Sequence, residues 1–223
     1  MKFSAIFKPT TLFSLKESNS TNSAAKSLFL PSPYAVKMAI LNQAITIGDE
    51  LEDLKKAKSE KFAFIRDTEI QFSIPKDCDF VVNNTFIKIL KPSRTSEGFQ
   101  DTVSFREFIY INKELEIIFN AKSKEATAFL RTFIPKINYF GKRGCFFQFM
   151  GFSKNPSQPN VQPFNANIPE PGVLQEYDDW PSNSTFEKVD NFSSKSIKRK
   201  SEILSIPVQR IKSSKEYTHF KSI

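Results

Sequence analysis

The chain has 223 residues and 32 lysines and arginines against 24 acids, a formal charge of +8. That length suits one large domain or two small ones, and the excess of cations favours a polyanion as partner, nucleic acid or an acidic surface. No apolar run approaches the length of a membrane span, Cys78 and Cys145 lack metal-ligand spacing, and the single histidine, His219, argues against a zinc site or a histidine-based triad.

In chain order, "KFSAIFK" alternates Phe3, Ala5 and Phe7 with polar or mixed neighbours, which predicts a short strand. Lys8 and Pro9 interrupt the apolar start before a signal-peptide core can form, so the chain reads as cytoplasmic, with neither cofactor nor membrane partner. The polar "KESNSTNSAAK" predicts a loop. In "SLFLPSPYAVKMAILNQAITIG" a helix follows, with Ser32 as cap, Pro33 in the first turn and Gly48 at the end. Its apolar residues occupy more than one face, so wide burial is expected. Lys37, the one cation inside it, is either a snorkelling surface lysine or a ligand contact.

After a charged helix or helical turn, "FAFIRDTEIQFSIP" and "FVVNNTFIKIL" carry the aromatic and β-branched residues of strands. "FREFIYINKELEIIFNA" predicts two more, Phe105 to Ile111 and Leu115 to Phe119, joined by a short turn. Between them and the preceding strand lies "TSEGFQDTVS", a polar tip of the kind that projects from a sheet, flanked by Lys88, Lys91, Arg94 and Arg106. Such cations can track a phosphate backbone or keep an edge strand soluble. A helix capped by Ser123 then places Ala126, Phe129, Leu130, Phe133 and Ile134 on one face.

"NYFGKRGCFFQF" comes next and spends Gly141 and Gly144, two of only six glycines, around Lys142 and Arg143. Glycine permits tight turns and close approach of a partner, and adjacent cations in such a turn can meet an anion. The plainer reading is a solvated hairpin at a strand entry. The order of strand, helix, strands, helix, strand is βαββαβ, the ferredoxin-like α+β pattern that also underlies RNA-recognition (RRM-type) modules. Residues 1–152 are therefore read as one domain, 153–173, rich in proline and asparagine, as a linker or long loop, and 174–223 as a C-terminal β region. In that last part "VLQEYDDWPSNSTFEKVDNF" is acidic, whereas residues 195 to 221 hold eight lysines and arginines against two glutamates. The basic stretch faces something anionic or is partnered by the acidic one.

Taken together and in order, "LPSPYAVKMAILNQAI", "FREFIYINKELEIIF", "NYFGKRGCFFQ", "LQEYDDWPSNSTFEKV" and "VQRIKSSKEYTHF" resemble the CRISPR-associated Cas-five family, a RAMP-superfamily subunit of type I Cascade complexes. The resemblance runs from about residue 28 onward. It implies a ferredoxin-like domain, a projecting thumb hairpin near 86–108 and a smaller C-terminal β region. It also implies a subunit that holds the 5′ handle of crRNA and touches the backbone RAMP subunits and the large subunit, with target DNA near the PAM as a further expected partner. The glycine-rich loop Gly141, Lys142, Arg143 and Gly144 is then the candidate RNA contact, with Tyr139 or Phe140 as stacking rings. Tyr34 and Lys37 are expected to border the handle, Lys88, Lys91, Arg94 and Arg106 to lie along the thumb, and Lys212 to join the RNA-binding set. Some members of the family cut RNA without metal, using tyrosine, lysine and histidine. Here the one histidine, His219, lies in a segment that reads as structural, so no catalytic residue is expected. Metal-independent cleavage of precursor RNA and a generic basic RNA-binding domain are the alternatives.

Overall fold

The computed structural model describes residues 1–18, 26–93, 95, 97–167, 171–195 and 198–223. It is a mixed α and β structure built on antiparallel sheets. Strand β1 (Lys2–Pro9) leads through a crossing segment to α1 (Pro33–Thr46). Ser32 Oγ caps that helix by accepting the Ala35 N–H at 3.2 Å, and Pro33 occupies the first turn, where a missing N–H costs nothing. Val36, Lys37, Ile40, Leu41, Gln43 and Ala44 are all buried, so α1 is covered on nearly every side.

The short α2 (Leu51–Leu54) and α3 (Glu60–Arg66) follow. The pattern of "FAFIR" predicts a strand, but these residues are helical. Ser59 Oγ accepts the Phe62 N–H at 3.0 Å, and Phe62 and Ile65, three apart, share the buried face. A capped helix that buries an aromatic overrides the strand preference of phenylalanine. Strands β2 (Glu69–Ser73), β3 (Asp79–Pro92), β4 (Phe99–Ile111) and β5 (Leu115–Asn120) come next. Helix α4 (Lys124–Phe133), capped by Ser123 as its sequence predicts, runs into a 3-10 turn and then β6 (Phe147–Phe152).

The first sheet has the order β2-β5-β1-β6, every neighbour antiparallel, and α1, α3 and α4 pack against one another beside it. Phenylalanine fills this core: Phe3 stacks on Phe119 at 5.1 Å between centroids, and Phe140 meets Phe7 and Phe147 edge-on at 5.0 and 5.1 Å. Edge-to-face contacts of this kind add to the burial of the rings themselves.

The remaining strands are β7 (Gln162–Pro163), β8 (Val173–Asp179), β9 (Lys200–Ile206), β10 (Val208–Ser213) and β11 (Tyr217–Ser222), with α5 (Phe186–Val189) between β8 and β9. They form a three-stranded sheet, β7-β9-β8, and complete a second four-stranded sheet, β10-β11-β3-β4. Three features differ from the sequence reading. The turn at 112–114 does not close a hairpin: β4 pairs with β3 and β5 with β1 and β2, so the turn passes the chain between sheets. The apolar and β-branched pattern of "SEILSIPVQRIKSS" predicts one strand, but the segment forms two, because Pro207 ends β9 and β10 joins another sheet. Within 153–173, residues 160–162 are fastened to the body: Asn160 bonds both the N–H and the C=O of Ile74, Val161 is buried, and Gln162 pairs with Ser205.

β3 and β4 pair continuously from Phe80 opposite Ile111 to Pro92 opposite Phe99. Their inner halves are buried through Phe80, Val82, Ile109 and Ile111, while Phe86, Leu90, Phe99 and Val103 beyond are exposed. The outer part, Phe86 to Pro92, is about 20 Å long. Because it adds little to the core, replacing residues 88–103 by an Asn-Gly turn between Ile87 and Ser104 should leave Tm within about 3 °C of wild type. A cooperative loss of the near-UV circular dichroism signal at room temperature in that variant would show that the outer hairpin supports the core.

Candidate functional site

One open groove of about 520 Å³ gathers residues from several separate stretches of chain. Tyr34, Met38 and Asn42 line it from α1, Arg106 from β4, Tyr139, Gly141 and Lys142 from the turn before β6, and Glu176 and Asp178 from β8. Arg199, beside β9, and the crossing segment at Ser14 to Lys16 complete it.

The turn before β6 forms because Tyr139 bridges Phe146, the Phe140 N–H donates to Cys145 O at 3.2 Å, and the Cys145 N–H donates to Lys142 O at 3.1 Å. Gly141 and Gly144 take φ of +66° and +98°, which side-chain-bearing residues rarely adopt. A Cβ on Gly141 would also meet Leu15 Cδ2 at 3.1 Å, whereas one on Gly144 would meet open space. The glycines are thus required by the turn itself. Lys142 and Arg143 at its tip are exposed, and among the described residues no carboxylate forms an ion pair with them or with Arg106. Lys142 and Arg106 both line the groove, and burial pushes the Cys145 thiol up against the opposing pull of these two cations.

β8 contributes the carboxylates Glu176 and Asp178 to the groove. Asp178, only 9% exposed in its side chain, accepts from Arg199 Nη1 at 3.0 Å and from Ser201 Oγ at 3.0 Å. Arg199 Cζ lies 3.9 Å from the centroid of the Tyr34 ring. Burial, helped by the neighbouring Glu176 carboxylate, pushes Glu17 above the usual carboxylate range. The arrangement can therefore pair anionic groups through Lys142 and Arg106 and take up planar groups beside Tyr34 and Arg199.

The other face of β8 holds α1 in place. Gln175 accepts the Phe29 N–H at 2.9 Å and donates to Ser27 O at 3.1 Å, and the Tyr177 hydroxyl accepts the Leu30 N–H at 3.3 Å. Asp179 meets Lys37 Nζ at 2.7 Å, and the same ammonium donates to Arg66 O at 3.0 Å. Trp180 stacks on Phe62 at 5.2 Å and meets Tyr34 edge-on.

Of the residues selected from sequence, the groove brings together Tyr34, Arg106, Tyr139, Gly141 and Lys142, with Arg143 and Gly144 in the same turn. Two candidates are corrected. Lys37 neither snorkels nor faces a ligand, being 2% exposed with its ammonium used by Asp179 and Arg66. Phe140 is fully buried between Phe7 and Phe147 and has no face to offer a base. Lys88 and Lys91 are exposed on the outer hairpin, Lys212 is exposed on β10 opposite His219, and Arg94 lies outside the described residues. His219 Nε2 bonds Asp79 Oδ1 at 2.8 Å across β11 and β3 and does not line the groove. Both cysteines are free and buried, and burial pushes the Cys78 thiol up to about 11. Sequence reasoning missed Arg199, Asp178 and Glu176, whose signal was the contrast between "EYDDW" and the basic stretch after it.

Neither known protein families nor curated proteins show a match to this chain.

Burial of the Lys37 ammonium works against its charge, and its pKa lies below the ordinary lysine value despite Asp179. Lys37→Met, which leaves Asp179 without its cation, should destabilise the protein by about 2–4 kcal/mol. Adding Asp179→Asn should recover most of that loss, as urea unfolding would measure. Equal stability of the single and double variants would mean that Asp179 is held by solvent alone.

Proposed function

We propose that the chain is a non-catalytic RNA-binding subunit of the Cas-five kind, which holds the 5′ handle of a crRNA in this groove within a type I Cascade complex. The observation that carries the reading is the convergence of Tyr34, Arg106, Tyr139, Gly141 and Lys142, selected from distant stretches of sequence, on one groove. Single-stranded RNA is bound by cations that meet phosphates and rings that stack on bases, and the groove offers both. The sheet order β2-β5-β1-β6, with α1 and α4 leading from one strand of each split pair to the next, supports a ferredoxin-like core of the RAMP type. The long β3–β4 hairpin supports the thumb, and its exposed Phe86, Leu90, Phe99 and Val103 suit contact with neighbouring backbone subunits.

The same geometry favours a binder over a nuclease. Cleavage needs a base beside a 2′-hydroxyl and an acid at the leaving oxygen, and histidine is the commonest side chain for both. His219 is engaged with Asp79 on β11.

Lys142→Ala with Arg143→Ala should weaken binding of a crRNA that carries a 5′ handle. It should also lower the salt slope by about one to two units. Thermal stability should change by under about 0.5 kcal/mol, since both side chains are exposed at a turn. Equal wild-type affinity for handle-bearing and handle-deleted RNA, or unchanged affinity in the folded double variant, overturns the reading.

A further inference from the structure

We propose that Arg199, backed by Tyr34 and fixed by Asp178, is a stacking shelf for one unpaired nucleobase, an inference that rests on the RNA reading of the groove. The guanidinium lies 3.9 Å from the Tyr34 centroid, and its Nη1 donates to Asp178 at 3.0 Å. Asp178 is itself held by Ser201 Oγ at 3.0 Å, and Tyr34 is held edge-on by Trp180, which is 3% exposed and stacked on Phe62. The guanidinium carbon sits over the ring, Nη1 is used by the carboxylate, and the side chain lines the groove with 41% of its surface exposed.

An exposed ion pair or cation–ring contact contributes little to stability and orders a side chain with much rotamer freedom. What the arrangement supplies is a flat cation whose orientation is set before any ligand arrives. Arginine planes stack on unpaired bases in the way aromatic rings do, and lysine cannot replace them. Lys142 and Arg106 line the same groove without a carboxylate paired to them among the described residues and can draw phosphate, whereas the charge of Arg199 is already met by Asp178. A base is neutral and planar and suits a cation whose charge is already met. Arg199 is therefore a base contact, and Asp178 and Tyr34 are positioning residues for it.

The experiment uses the purified full chain and synthetic crRNA with 2-aminopurine placed at each handle position in turn. One position should be quenched several-fold on binding. Arg199→Lys, which keeps the charge and loses the plane, should abolish that quench and weaken binding roughly tenfold with an unchanged salt slope. Tyr34→Leu, which removes the ring beneath the guanidinium, should do the same, and an abasic nucleotide at the quenched position should erase the difference between wild type and Arg199→Lys. Wild-type affinity and quenching in Arg199→Lys, with the wild-type protein binding handle RNA, overturn the shelf and leave the RNA groove standing. A wild-type protein that binds no handle RNA overturns both.

Discussion

The attachment of β8 to residues 27–37 is the constraint on which the rest of the molecule depends. A strand sends alternate side chains to opposite faces, and β8 uses both. Gln175, Tyr177 and Asp179 bond the segment before α1 and the helix itself, while Glu176 and Asp178 form a wall of the groove. The position of Tyr34 relative to Arg199 is thus set by the same strand that carries the carboxylate holding Arg199. Fold and site share their polar bonds, and neither can shift without the other.

Several of these bonds are buried, and a buried ion pair is a poor source of net stability because both groups give up water. Its effect here is on register. A slip of β8 by one residue would turn Asp179 away from Lys37 and send Tyr177 into the groove, leaving a cation in the core without its partner. The cost of that uncompensated charge makes the correct pairing of β8 with α1 far more favourable than its neighbours. Apolar residues alone would distinguish the registers less sharply, since Val173, Tyr177 and Trp180 can each fill space in more than one place.

The elements with local signals were legible in the sequence. Ser32 and Ser123 cap the helices they predict, Phe3 to Phe7 form a strand, and the two glycines take the backbone conformations that only glycine adopts easily. What escaped was set by tertiary contact. Lys37 reads as a surface residue on any helical wheel, and only the return of β8 supplies the Asp179 that lets it be buried. Phe140 directly precedes the cation-bearing turn, and sequence cannot say whether the turn or the core claims its ring; the core does, through Phe7 and Phe147. Arg199 was one cation among many in a basic stretch, and its difference from the others is a partner 21 positions away.

The second sheet joins pieces made at very different times. β11 closes the base of the hairpin on β3, where His219 bonds Asp79 across 140 positions of sequence. On a ribosome that adds 5–20 residues per second, β3 and β4 can pair with each other on the order of ten seconds before β11 has been synthesised. During that interval the edge of β3 from Asp79 to Asn83 shows its backbone N–H and C=O groups to whatever passes, and such an edge accepts strands from other chains. The arrival of Tyr217 to Lys221 ends the exposure. The nascent hairpin is thus the part of this protein most in need of a chaperone, and slowing translation after residue 111 would raise the chance of aggregation before the sheet is closed.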